Sequence, residues 1–314
     1  MSGTRHTLGA VAAFIGLTAA AWAAADQPGS APSTQPAAPT VEYVGKYVWS
    51  RPDADFGGFS GIELSPDGMR YTALSDRATL WWGTVERDAQ GRVRGMTLAG
   101  QSNLRDSKGK ALVPGYQGDS EGVAVAQDGR IFVSFEGLIR VAEYDTPDAP
   151  AKVLPTAPWF KTLGRNKALE ALAITDDGAL ITTPELWPGD DPTYPLWKFQ
   201  DGAWTTIGQL PRVGRWAAVA ADIGPDGMLY LLQRDFRGLG GFANRLIRVD
   251  LTKATGPDAQ LDEQVLLQTN YRQYGNLEGL SIWKDGQGLR ATMISDDNFL
   301  MLLQTEIVEY RIRN

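Results

Sequence analysis

The fold class this sequence predicts is all-β, a β-propeller of four-stranded blades, and three observations predict it. The first is a repeated hairpin. In residues 121–136 two short apolar runs flank Asp128-Gly129, a pair that favours a tight turn between antiparallel strands. Related hairpins centre on Asp67-Gly68, Asp177-Gly178, Asp226-Gly227 and Asp285-Gly286, so the turn recurs at intervals of 61, 49, 49 and 59 residues. Divergent copies at such a period mark a repeat architecture. The second is composition: ten Trp, ten Tyr, ten Phe and 35 Gly in a chain of many short apolar runs favour sheet. The third is the lack of any long 3.6-residue periodicity, which leaves a Rossmann or α/β-barrel fold without its crossover helices.

In chain order, residues 1–25 have the form of an export signal. Arg5 gives the positive start, 8–22 the apolar segment, and small residues allow cleavage after Ala23 or Ala25. The apolar run is shorter than a membrane span, so removal is expected rather than anchoring, with a periplasmic or secreted product. Residues 26–40 are a Pro/Ser/Ala tether with no means of forming a core. Residues 41–49 read as a strand lying before the first repeat, and 299–303 and 307–312 follow the last hairpin with no repeat after them. In a closed ring the N-terminal strand completes the last blade and removes its exposed edge. Between the hairpins lie further strand pairs, at 79–85 with 92–98, 138–144 with 151–154, 196–200 with 204–207, and 245–250 with 264–267. The fifth hairpin reads as having a longer turn than the others. Counting Asp-Gly hairpins gives five blades; six requires a degenerate blade within 234–277, where 234–242 is a conspicuous insertion. The whole of 41–314 is then one domain.

The chain has 314 residues and a formal net charge of -7, from 37 acidic and 30 basic side chains. No basic run or stripe suggests a nucleic-acid surface. Cysteine is absent and the one histidine is His6, inside the export segment. Thiolate chemistry is excluded, and a mature chain without imidazole must draw any general base or metal ligand from Asp, Glu, Tyr, Lys or water.

Strand alternation gives the hairpins a chemical consequence. The first residue of the first strand and the last residue of the second lie at the same end, opposite the turn. Blade symmetry gathers these ends around one mouth of the central channel. The expected rim is Ser60 with Asp76 and Arg77, Glu121 with Glu136, Glu170 with Glu185, Val219 with Arg234, and Glu278 with Asp296. Asp119, Asn166 and Asn276 precede their strands and face the same region. Crowded carboxylates need an oxygen-loving cation, interleaved Arg or Lys, or protons. Arg77, Arg234 and Lys167 are interspersed. With only oxygen donors on offer, Ca²⁺, then Mg²⁺ or Mn²⁺, is favoured over Zn²⁺ or Cu²⁺. The competing role for each carboxylate is to end its strand by accepting from nearby backbone N–H groups. The turn aspartates sit at the far end and are turn formers. Trp187 and Trp216 lie close to rim loops, within reach of a ligand.

No Gly-x-Ser-x-Gly elbow, P-loop or dinucleotide fingerprint occurs, and Ser60 has no mature histidine to activate it. The chain does resemble the phytase-like family of exported bacterial proteins, often labelled as having esterase-like activity. The resemblance rests on Phe59-Ser60-Gly61-Ile62, Ala73-Leu74-Ser75-Asp76-Arg77, Asp119-Ser120-Glu121-Gly122, Asn166 with Leu169-Glu170-Ala171-Leu172, Thr183-Pro184-Glu185, and Asn276-Leu277-Glu278-Gly279-Leu280. It covers nearly all of 41–314. It implies a relation to the β-propeller phytases, which hold several Ca²⁺ ions in an acidic cleft where a bound water attacks phosphate. Two departures stand out. Ala78 occupies a position where Gly usually follows Ser-Asp-Arg, and the fourth repeat, Trp216-Ala217-Ala218-Val219, has neither the Glu nor a near Asn.

What the resemblance implies is hydrolysis of a phosphate ester or related ester, a small anionic or ester substrate, at a calcium-bearing mouth. Asp119, Glu121, Glu170, Glu185 and Glu278 would hold metal. Arg77 and Arg234 would clamp phosphate, and Asp76 or Glu136 would serve as general base. Asn166, Lys167, Asn276 and Asp296 would meet substrate. Two other readings stand beside it: an exported binding or scaffold propeller with structural metal and a protein partner, and a metal-dependent lactonase, which Asn166 and Asn276 favour.

Overall fold

The computed structural model describes residues 40–164, 168–300 and 302–313. The expected export signal, nearly all of the tether, and the Asn166 and Lys167 assignments therefore lie outside the described residues. β1 (Thr40–Trp49) begins one residue inside the expected tether. The first blade holds β2 (Phe59–Leu64), β3 (Arg70–Ser75), β4 (Thr79–Arg87) and β5 (Val93–Asn103). β6 (Ser120–Val125), β7 (Ile131–Phe135), β8 (Arg140–Tyr144) and β9 (Lys152–Val153) form the second. The third comprises β10 (Ala171–Ile174), β11 (Leu180–Thr183), β12 (Thr193–Gln200) and β13 (Ala203–Pro211). β14 (Ala217–Ile223), β15 (Leu229–Phe236), β16 (Phe242–Val249) and β17 (Gln264–Gln268) make the fourth. The fifth has β18 (Asn276–Asp285), β19 (Gly288–Asp296) and β20 (Thr305–Arg313), and β1 is its outer strand.

These are five antiparallel four-stranded sheets of a β-propeller. The segment 234–277 builds the fourth blade, and its insertion lengthens β15 and β16 around a short 3-10 turn at Gly238–Gly240. The first strands β2, β6, β10, β14 and β18 each touch the next around a ring, β18 returning to β2. Two local expectations are corrected. The described residues of 299–303 add no strand: β19 ends at Asp296 and β20 begins at Thr305. The fifth hairpin has a shorter turn, not a longer one: Asp285 pairs with Gly288, leaving a two-residue loop.

The apolar core is divided into five clusters, one between each pair of adjacent blades. Closure is a packing event as well as a hydrogen-bonding one. β1 pairs with β20 along its length, and its last residue, Trp49, enters the cluster between blades five and one. There it stacks on Phe59 at 5.0 Å and meets Phe56 and Tyr71 edge-on at 4.9 and 5.2 Å.

Four of the five first strands carry a register shift at their mouth end, between Phe59/Gly61, Ser120/Val123, Ala218/Ala220 and Leu277/Gly279. A bulge leaves one residue out of the ladder and re-aims its side chain. The residues so released include Ser60, Glu121, Val219 and Glu278. The next position is small in every blade: Gly61, Gly122, Ala171, Ala220 and Gly279. A Cβ added at Gly61 would lie 2.8 Å from Val123 Cγ1, and one at Gly279 2.8 Å from Ile62 N. At Gly122 it would collide with the Glu170 carbonyl. The channel is thus pinched to a waist, where a cavity of about 10 Å³ has room for roughly one water.

Beyond the waist, Glu63, Asp222 and Ser281 meet from blades one, four and five. The Ser281 hydroxyl donates to Glu63 Oε2 at 3.2 Å, and Asp222 accepts from the Ile282 N–H. Burial, then the Asp222 charge, hold the Glu63 carboxyl well above the usual range, and burial pushes Asp222 up to about 7.

Two outcomes are expected. Trp49→Ala, which cuts the tie between β1 and the first blade, costs ~3–5 kcal/mol in chemical denaturation. Asp222 binds its proton more tightly folded than unfolded, so its contribution is complete below pH ~4 and is lost as pH rises through about 7. Asp222→Asn, which mimics the protonated form, is therefore about 1–3 kcal/mol more stable than the parent at pH 8, with little difference at pH 4. A gain of equal size at both pH values would contradict this assignment.

Candidate active site at the acidic mouth

The bulges and strand ends bring the acids of four blades together. Glu170 and Glu278 lie close enough to Glu121 to raise its proton affinity, as do Asp119 and Glu136, and Glu278 and Glu136 raise that of Glu170. Oxygens of Asp119, Glu121 and Glu136 all lie within 4.8 Å of one another, as do those of Glu136, Glu170 and Glu185. Glu136, buried where β7 ends, is common to both groups. It accepts from the Ala168 N–H at 3.2 Å.

Blade four supplies no acid here. Val219 takes the rim position, and Arg234 on β15 reaches the acids of both neighbouring blades. Its guanidinium donates to Asn276 Oδ1 at 2.8 Å, to Glu185 Oε1 at 3.1 Å and to Glu278, while Glu170 stands 3.9 Å away. Asn276 Nδ2 in turn donates to Glu278 at 2.8 Å. Burial costs this guanidinium, but the Glu278, Glu170 and Glu185 charges more than offset it and hold its pKa above the ordinary arginine value.

Among the described residues no such cation pairs with Asp119, Glu121 or Glu136. Burial pushes Glu121 well up, and Glu170, Glu278, Glu136 and Asp119 push it further. Glu136 rises to about 7 through burial, against the pull of the Ala168 N–H. Glu170 and Glu185 are raised by burial although Arg234 opposes it, and Asp119 is raised by burial against the Gly137 N–H. Across the mouth, burial lifts Asp76 to about 6, with Arg77 opposing and Glu278 and Asp119 assisting. Asp296 reaches about 8 through burial and the Glu278 charge.

Several expected roles are placed differently by this geometry. Glu278 and Asn276 are both engaged by Arg234, whose guanidinium is in turn shared among Asn276, Glu185 and Glu278. Glu136, expected as a base, sits at the centre of both acid groups. Arg77 lies flat on Phe299, its guanidinium carbon 3.2 Å from the ring centre, and is exposed. Sequence reasoning missed Phe299, and also Gly58 (φ 61), where a Cβ would collide with that ring and with Asp76. The turn aspartates behave as expected, Asp67 and Asp128 accepting from the backbone two residues on at 3.0 and 3.1 Å. The departure at Ala78 has a physical reading. Its φ is 55, a conformation that Gly adopts freely and that costs Ala about 1 kcal/mol. Its methyl is fully buried between blades one and two, and its N–H is held by Ser120 Oγ at 3.0 Å.

The model of the phytase-like family, described as "esterase-like activity of phytase", matches residues 54–299. The chain belongs to the phytase-like family. The acids of this phytase-like mouth, from Asp76 to Asp296, all fall inside that match. No match is found among curated proteins. Among solved structures, the phytase-like chain is similar to the PQQ-bound aldose sugar dehydrogenase of Streptomyces coelicolor, at 14% identity and a TM-score of 0.48, covering 88% of this chain and 99% of that one. It is also similar to virginiamycin B lyase of Staphylococcus aureus, at 9% identity and a TM-score of 0.41, covering 87% and 99%. A streptogramin B lyase matches at 12% identity and a TM-score of 0.40, covering 88% and 98%.

Arg234→Met leaves three acids without their cation. In chelator at neutral pH it is expected to cost ~3–5 kcal/mol in urea unfolding, and the loss should narrow towards pH 5 as the carboxylates take up protons. A loss of unchanged size at both pH values would show that Arg234 acts through packing alone.

Proposed function

We propose that this protein is an exported, calcium-dependent hydrolase of phosphate esters or related esters, working at the acidic mouth. The observation that carries the reading is the close group Asp119, Glu121 and Glu136, which no cation among the described residues pairs with, continued by Glu170 and Glu185. The donor set fits a hard cation: every donor is a carboxylate oxygen, several are held above their usual pKa by burial, and the neighbouring guanidinium is already committed. Asp119, Glu121 and Glu136 would hold the ion, with Glu170 and Glu185 on its far side. Calcium there would lower the pKa of a bound water and offset the charge of a phosphate group.

The chain's own residues supply the rest. Asp76, with a pKa near 6, is ionised at neutral pH and accepts the proton of the attacking water. Asp296, near 8, keeps its proton at neutral pH and gives it to the departing alkoxide. Arg77, fixed against Phe299 at the exposed edge, meets phosphate oxygens with its guanidinium N–H groups. Arg234 holds Glu185 and Glu278 in place. The form of residues 1–25 supports export, to the periplasm or medium. One observation favours a second reading, a non-catalytic propeller: the Arg234 network already satisfies one side of the mouth without metal.

Hydrolysis of a simple phosphomonoester and a simple carboxylic ester, with Ca²⁺ and with excess chelator, separates the two. The hydrolase loses its activity on chelation, and Glu136→Gln abolishes the rise in melting temperature that Ca²⁺ gives. Activity indifferent to chelation would sink the metal reading; a calcium-dependent melting shift with no turnover would favour the binding propeller.

A further inference from the structure

Beside the mouth, between the loops of blades three and four, lies a cleft of ≈ 420 Å³. That is the size of a small-ligand pocket. Glu185 and Arg234 line it as well as the mouth, so the two spaces share a wall. Three aromatic rings, Trp187, Trp216 and Phe236, also line it, together with Arg212, Arg215 and Asp235.

Each of these rings is fixed by a neighbour. Arg245 stands 5.3 Å from the Trp216 ring centre, and is itself held by Gln233 and Glu263 at 2.6 and 2.9 Å. Phe236 stacks on Phe242 at 4.6 Å and an interplanar angle of 23°. Trp187 meets Trp197 edge-on at 6.0 Å, and its Nε1 donates to Asp191 at 3.3 Å. Arg212 pins the loop between them by donating to the Trp187 and Gly189 carbonyls at 2.6 and 2.5 Å. Despite these supports the rings are not buried: Phe236 is 49% exposed, and Trp187 and Trp216 are half-buried. Trp187 also packs against the core clusters on both sides of blade three, yet all three rings keep open surface beside a charged site. Rings ordered in advance lose little freedom when another ring stacks on them.

We propose that this cleft binds a planar aromatic ring, carried by the alcohol part of the ester whose phosphate occupies the mouth. This rests on the hydrolase reading above and narrows its substrate class to aryl or heteroaryl esters.

The test is calorimetric binding of phenylphosphonate and methylphosphonate, neither of which is hydrolysed, to the full chain in Ca²⁺. Methylphosphonate reads the mouth, and the phenyl increment reads the cleft. Phenylphosphonate is expected to bind about tenfold more tightly. Trp216→Ala should erase that difference without changing the methylphosphonate Kd. Phe236→Ala, at an exposed position, should reduce it too, and it guards against a Trp216 variant that fails to fold. Equal affinities for the two phosphonates, or an aryl preference intact in both variants, would overturn the proposal. Phenyl-dependent binding with no methylphosphonate binding would uphold the cleft while removing phosphate from the mouth.

Discussion

Five first strands must approach one another around a common axis, and this constraint shapes everything at the mouth. With so few blades the ring is tight, and only Gly or Ala is found at the waist, where Gly61, Gly122 and Gly279 have no room for a Cβ. The register shifts lie directly before these residues. One local device therefore does two things: it lets the backbones close, and it turns the preceding side chain towards the axis. Where that side chain is Glu121 or Glu278, closure of the ring itself drives acids together. The apolar clusters between blades supply the burial that offsets the repulsion.

The mouth resolves its crowding unevenly. On the side of blade four a guanidinium is interleaved, and one arginine satisfies acids from blades three and five. On the side of blades two and three no cation among the described residues takes that place, and burial raises the proton affinity of Glu121 and Glu136. Protons and a metal ion compete for the same oxygens, and binding of a cation would release protons from them. The fourth repeat's lack of a glutamate is the reason for this asymmetry. Val219 leaves the space into which Arg234 extends.

Much of this was legible in the sequence because hairpins are local. Asp-Gly pairs between apolar runs fixed the repeat, and strand alternation then placed the repeated acids at one end. The closing role of 41–49 followed from counting strands. What escaped notice depends on contacts between blades. Arg234 was readable as a rim residue, but its commitment to Glu185, Glu278 and Asn276 requires three blades in register. The place of Glu136 in both acid groups has the same origin. The Gly and Ala at the waist were present in every repeat, yet each reads alone as an ordinary small residue after a polar one. Residues 299–303 are apolar enough to suggest a strand, but there Phe299 instead serves as a platform for Arg77.

The pinched waist also decides how a ligand can arrive. A space for about one water admits no substrate through the channel, so approach is from the mouth side alone. There an anion meets carboxylates over most of the circumference. Repulsion is weakest at blade four, where Arg234 balances its neighbours, and Arg212 and Arg215 add positive charge at the lip of the adjoining cleft. Arg215 is itself partly offset by Asp235, 3.5 Å away. The wide recess beside the mouth thus opens where the field would be least hostile to an anion such as the proposed ester. The same missing glutamate that breaks the symmetry of the acids also leaves a way in.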